Sequence, residues 1–147
     1  MLNKYLFPTL ALAVIPAAVA LAGDSPQEAR HELMEDVGGA AKTIGKMLKE
    51  EAPFDAAQAM EALQVWADSA EPFGDMFPKG SETGFDTEAK STIWSDRAGF
   101  EQALAEFKQK ADAAVAANPQ TLVELQPAAG PVFKACKGCH ESYRVDD

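Results

Sequence analysis

A chain of 147 residues with 23 acidic against 13 basic side chains, formal charge −10, is long enough for one hydrophobic core. It is too acidic to be read as a binder of nucleic acid or of anionic lipid. Its two cysteines exclude a zinc ribbon, which needs a second pair, and a disulfide across so short a loop would constrain little chain.

Residues 1–22 read as a secretory signal. Lys4 is the only charge before Asp24, Leu6 to Leu21 is mostly apolar with Pro8 and Pro16, and Ala20-Leu21-Ala22 is a small-x-small cleavage site. Ala18-Val19-Ala20 is an alternative site. The apolar run is short for a membrane span and is broken by Pro16. The expected mature domain is residues 23–147. Losing Lys4 leaves it 12 basic and 23 acidic side chains, a charge of −11, which suits a partner with a basic docking surface as well as plain solubility.

The mature region reads as four helices. Ser25-Pro26-Gln27-Glu28 is a capping box with proline at the first helical position. Leu33, Val37, Ala40 or Ala41, Ile44, Met47 and Leu48 then recur at helical spacing until Pro53. Asp55 caps a second helix with a stripe of Met60, Leu63, Ala67 and Ala70, Trp66 beside it, and Pro72 as its expected end. Residues 71–91, with Pro72, Gly74, Pro78, Gly80 and Gly84, read as a long connection across one end of a bundle. A third helix is expected from Ser91 to Asn118 on Ile93, Phe100, Leu104, Phe107, Ala111 and Ala114, with Arg97 interrupting the stripe, and Asn118-Pro119 stops it. A second capping box, Thr121 to Glu124, opens the fourth helix, in which Pro127 and Pro131 predict a kink or break near Gly130. The economical architecture is an all-α, antiparallel four-helix bundle.

That last helix carries the chemistry. Cys136-Lys137-Gly138-Cys139-His140 is Cys-x-x-Cys-His, the attachment signature of a c-type haem. Thiols three apart on a helix face one ring edge, and an imidazole next to the second thiol can turn under the ring to bind iron. A thioredoxin-like pair would follow a strand, and no strand signal is nearby. Covalent haem attachment outside the cytoplasm agrees with the export signal, so one haem c in a periplasmic protein is the expectation. Only residues 141–147 follow the motif, and none is Met or His, so a sixth ligand from the protein has to come from upstream: Met34, Met47, Met60, Met76 or His31. Glu28-Ala29-Arg30-His31 has the Glu-x-x-His spacing of di-iron bundles, but those need two copies and Lys137 stands at the matching place before His140.

The stretch from Cys136 to Arg144 resembles the class II c-type cytochromes, the cytochrome c-prime family. So do Gly45-Lys46-Met47-Leu48-Lys49 running into Ala52-Pro53-Phe54-Asp55-Ala56-Ala57, Phe77-Pro78-Lys79-Gly80-Ser81, and Ile93-Trp94-Ser95-Asp96. The resemblance implies a four-helix bundle with haem between the helices and no enzymatic activity, and it admits an antiparallel homodimer through the first two helices. It also implies a choice. Members with an apolar distal residue leave iron five-coordinate and open to nitric oxide or carbon monoxide. The low-spin, cytochrome c-556-like branch places a methionine there, and in this chain that position falls on Met34. The implied role is single-electron transfer with His140 and Met34 as axial ligands. Gly38 and Gly39 are expected to let the first helix approach the porphyrin. Arg30, four residues before Met34, is a candidate propionate partner, and Arg144, four after His140, a candidate to tune the proximal imidazole. His31 is expected near a propionate, and Met47 and Met60 are expected as core filling.

Overall fold

A computed structural model describes residues 25–145, so the expected signal segment and its cleavage site lie outside the described residues. The described chain forms α1 (Pro26–Leu48), α2 (Ala56–Asp75), a single turn α3 (Thr92–Ser95), α4 (Arg97–Ala117) and α5 (Leu122–Tyr143). The four long helices make the expected antiparallel bundle, in which α2 packs on α1 and α4, and α4 on α5. Among the described residues there is no strand, only an isolated bridge between Ala89 and Arg144.

The helix starts follow local chemistry. Ser25 Oγ accepts from the Glu28 amide at 3.2 Å while the Ser25 amide donates to the Glu28 carboxylate at 2.9 Å, the reciprocal box read from the sequence. The Ser25 amide and hydroxyl together hold the Glu28 carboxyl below the usual carboxylate range. Asp55 caps α2 through the Gln58 amide. Thr121 caps α5, but Glu124 reaches one residue further back than a standard box, accepting from the Gln120 amide at 2.7 Å.

Three expected boundaries move. The helix expected from Ser91 breaks at Asp96, whose side chain accepts from the Gly99 amide at 3.2 Å and restarts the chain as α4. The carboxylate fills the space beside Gly99: a Cβ there would collide with it and would sit 2.8 Å from the Tyr143 hydroxyl. Pro72 does not end α2, which runs on to Asp75, and α5 continues unbroken through Pro127 and Pro131. All three proline rings lie on exposed positions, so the carbonyls that lose their amide donors turn to water rather than to the core. Continuing α2 past Pro72 also seats Phe73 against Phe77, ring centroids 5.0 Å apart.

The core divides in two. The larger cluster joins Val37, Ala40, Ile44 and Met47 of α1 to Leu63, Trp66 and Ala67 of α2, Phe107, Ala111 and Ala114 of α4, and Leu125, Ala129 and Val132 of α5. Met47 is core filling, as expected, and Met60 packs partly buried against the same cluster. Trp66 is fully buried, donates its indole N–H to the Val37 carbonyl at 3.1 Å and meets Phe133 edge-on. The smaller cluster is aromatic: Phe77, Ile93 and Phe100, with Phe73, Trp94 and Tyr143 around them. Arg97 at the head of α4 donates to the Gly74 carbonyl at 2.8 Å, the last turn of α2, and to Glu101. Lys108, further along α4, pairs with Asp112 and lies in the field of Glu71 and Asp68 of α2, which raises its pKa.

Candidate functional site

Between the two clusters lies a cavity of about 380 Å³, within the size range of small-molecule and cofactor sites. Four helices and the 76–91 connection wall it. From α5 come Cys136, Cys139, His140 and Tyr143, from α1 Arg30, His31, Met34 and Val37, from α2 Ala70 and Phe73, and from α4 Phe100, Leu104 and Phe107. The fold thus brings together all six residues singled out in the sequence, since Arg144 also lines the cavity.

The thiols sit on one face of α5, both half-buried and neither in a disulfide. Removal from water disfavours the thiolate, and the Cys136 thiol is pushed up to about 11, with Cys139 beside it adding to the effect; burial also raises Cys139. In the polypeptide without cofactor both sulfurs therefore stay neutral at pH 7. The sign follows. Unfolded thiols ionise near 8.5, so between that pH and about 11 the unfolded chain has released a proton that folded Cys136 still holds, and stability falls as pH rises through that window. The urea midpoint of the reduced, haem-free chain is expected to fall between pH 8 and pH 10.5. The fall should shrink in Cys136→Ala; an equal fall in that variant would place the titration elsewhere.

His140 stands at the exposed rim. Partial burial, with the nearby positive charge of Arg144, lowers its pKa, while Glu88 acts the other way. The net effect favours the neutral imidazole, the form that coordinates metal. Arg144 pairs with Glu88 at 3.5 Å. The end of α5 is stitched to the connection: the Lys90 amide donates to the Tyr143 carbonyl, the Val145 amide to the Glu88 carbonyl, and the Lys90 ammonium to the Glu141 carbonyl. Carbonyls that a helix end leaves open are satisfied here by protein, which fixes the turn carrying His140.

Met34 reaches the same cavity from α1 and is half-buried. His31, one turn earlier, is exposed, pairs with Glu35 at 3.5 Å and meets the Phe85 ring edge-on. Gly38 and Gly39 differ from expectation. Both are exposed, neither lines the cavity, and a Cβ on either would meet nothing within 4 Å. They do not provide the close approach read from the sequence, because the helix turns its Val37 and Ala40 face inward and the glycines out.

Arg30 takes a part the sequence did not show. It is 5% exposed. Its terminal nitrogens donate to the Met76 carbonyl, the Ser81 hydroxyl and carbonyl, and the Thr87 hydroxyl, all within 3.0–3.1 Å. The guanidinium also lies over the Phe77 ring, 4.7 Å from its centroid. Burial lowers its pKa, and no ion pair with a carboxylate accompanies it among the described residues. Its partners stand 46 to 57 residues away, so no local signal foretold them.

A cavity of this size with a mainly apolar lining, two neutral thiols, a neutral imidazole and a facing thioether suits a flat apolar ring that holds iron. The donor set suits haem, and among the described residues no group of three or more His, Cys, Asp and Glu is placed to hold a metal ion. No helix among the described residues is long and apolar enough to cross a membrane.

Comparison with known proteins agrees with this reading. The family described as Cytochrome C' matches residues 25–144. Cytochrome c' of Rhodopseudomonas palustris is 34% identical over 134 residues, 91% of either chain, and cytochrome c-556 of Agrobacterium fabrum is 34% identical over 87% of this chain and 85% of its own. The solved structure of the Rhodopseudomonas palustris cytochrome c' superposes with a TM-score of 0.80 at 33% identity, covering 85% of this chain and 99% of that one. The cavity at the Cys-x-x-Cys-His helix and the match along nearly all the described residues together establish that this chain belongs to the cytochrome c' family, electron-carrying proteins whose cofactor is haem c.

Proposed function

We propose that this is a periplasmic carrier of single electrons in which Cys136 and Cys139 hold the haem covalently and His140 and Met34 are its axial ligands. The observation that carries the proposal is the convergence of α1 and α5 on one cavity, Met34 from the first and the Cys-x-x-Cys-His turn from the second. When bound, haem c supplies the one-electron chemistry. The chain's own residues do the rest. The thiols anchor. His140, kept neutral, offers a ring nitrogen, and Met34 offers a thioether, a combination that favours a raised potential. Phe73, Phe100 and Phe107 exclude water. Arg144 places a positive charge beside the imidazole and disfavours the oxidised state. Near Arg30 a propionate would meet a cation whose terminal donors are already engaged, so that side chain contributes charge there more than new hydrogen bonds. The acidic surface steers a basic redox partner. The domain 23–147, with residues 1–22 removed on export, is part of the same reading, and a homodimer through the first two helices is compatible with it.

The test is optical. The dithionite-reduced protein should give a sharp low-spin spectrum that carbon monoxide leaves unchanged, and Met34→Ala should turn high-spin and bind carbon monoxide at once. A wild-type spectrum that is already high-spin and shifts with carbon monoxide would replace this reading by the five-coordinate, gas-binding one.

A further inference from the structure

We propose that Arg30 is the positioning residue for Met34: its guanidinium ties the first turns of α1 to the 76–87 connection and thereby sets whether the thioether reaches the iron. This rests on the reading of Met34 as a ligand.

Met34 lies between a stapled stretch of helix and a soft one. On the N-terminal side, Gln27 donates to the Thr83 carbonyl at 2.7 Å, Arg30 bonds to Met76, Ser81 and Thr87, and His31 meets Phe85. On the C-terminal side come Gly38 and Gly39, with no neighbour within 4 Å of where a Cβ would stand, in the middle of a helix where glycine is a poor former. Residues Leu33 and Met34 are only partly buried, and the dense packing of α1 begins at Val37. The distance from Met34 to the facing helix is therefore governed by the staples before it. Of these, Arg30 is the buried one, and it stands one helical turn before Met34 on the same face.

The connection it grips is held in a demanding shape. Gly80 and Gly84 have φ of 95° and 97°, and Phe85 and Asp86 take left-handed φ of 44° and 38°, unfavourable for side chains with a Cβ. Such a segment persists where its surroundings over-determine it. Arg30 does so from both ends, through Ser81 before the left-handed run and Thr87 after it. A planar fork with fixed donor directions serves this purpose, whereas a lysine ammonium is a single point donor on a flexible stem. Helix, clamp and connection form one unit, and Met34 is carried on it.

Two sets of variants test this. Arg30→Lys keeps the charge and removes the fork. Ser81→Ala with Thr87→Val keeps Arg30 and removes two of its acceptors. If Arg30 positions Met34, both should raise the high-spin, carbon monoxide-binding fraction of the reduced protein roughly tenfold. Both should also speed amide hydrogen exchange at residues 27–34 and 81–87, read with and without carbon monoxide, while exchange in α4 is unchanged. An arginine acting on the iron through its charge alone would leave the spectra of both sets unmoved, because each keeps a cation. Low-spin, carbon monoxide-inert spectra in both sets, alongside a Met34→Ala variant that does turn high-spin, would overturn the positioning role and leave the ligand reading standing. If Met34→Ala leaves the spectrum unchanged, the ligand reading falls and this proposal with it. Should Arg30→Lys fail to fold, the Ser81, Thr87 pair decides alone.

Discussion

The double variant Cys136→Ser, Cys139→Ser is expected to emerge without covalent haem and with a loosened bundle. Serine has nearly the size of cysteine, so the change is chemical and not steric, and it removes both anchoring sulfurs from the cavity wall. A buried cavity left unfilled costs about 24 cal/mol per Å³, so 380 Å³ sets a ceiling of roughly 9 kcal/mol if the space stayed dry. His140 and Arg144 leave the rim open, water enters, and the loss falls to several kcal/mol. Against a total stability of about 5–15 kcal/mol for a domain this is a large share. A haem stain on a denaturing gel should be blank for the variant and positive for the wild type. Thermal unfolding followed by circular dichroism should show a midpoint lower by at least about 15 °C. Haem that survives the denaturing gel in the variant would refute attachment through these sulfurs.

Trp66→Ala is the second large effect, expected to destabilise by about 3–5 kcal/mol, with Trp66→Phe costing roughly 1–2 kcal/mol. Trp66 is fully buried; it meets Phe133 at 5.1 Å between centroids and donates to the Val37 carbonyl. The alanine variant deletes the largest fully buried side chain of the core. The phenylalanine variant keeps much of the packing and loses the hydrogen bond. That loss falls at the low end because Val37 is mid-helix, where its carbonyl also accepts from the backbone four residues on. Urea unfolding of the holoprotein should rank wild type, Trp66→Phe, Trp66→Ala. Equal midpoints for Trp66→Phe and Trp66→Ala would mean that the hydrogen bond, not the ring, dominates.

What the sequence made legible was what is local. The box at Ser25, the caps at Asp55 and Thr121, the stop at Asn118-Pro119 and the inward stripe of α1 depend on residues within one or two turns, and the structure repeats them, except that Glu124 closes on Gln120 instead of completing the box read at Thr121. The Cys-x-x-Cys-His turn belongs to the same class. The misreadings arose where the outcome depends on which way a residue faces. The cost of Pro72, Pro127 and Pro131 is lowest where the carbonyls they strand can reach water, and at all three the helix presents an exposed position. Asp96 looked like one more polar position in a long helix, although Asp-x-x-Gly is a capping arrangement that a closer reading of caps could have found. The grip of Arg30 on Ser81 and Thr87 had no local trace. The aromatic cluster had no trace in the reading of residues 71–91 as a connection, because Phe73 and Phe77 need Trp94, Phe100 and Tyr143 from three other elements to complete it.

The contacts between α2 and α4 bear on how the chain chooses its topology. Taken singly, α2 has no cation in its last turn and acids at Glu71 and Asp75, while α4 carries Arg97 in its first turn beside the favourable cap Asp96. Laid antiparallel, the faults cancel, because Arg97 donates to the last turn of α2 and Lys108 faces Asp68 and Glu71. A parallel arrangement would put Arg97 against the start of α2 and leave the acidic end of α2 uncompensated. The charges that make poor isolated helices thus act as an orientation code, read only when the correct partner arrives in the correct direction.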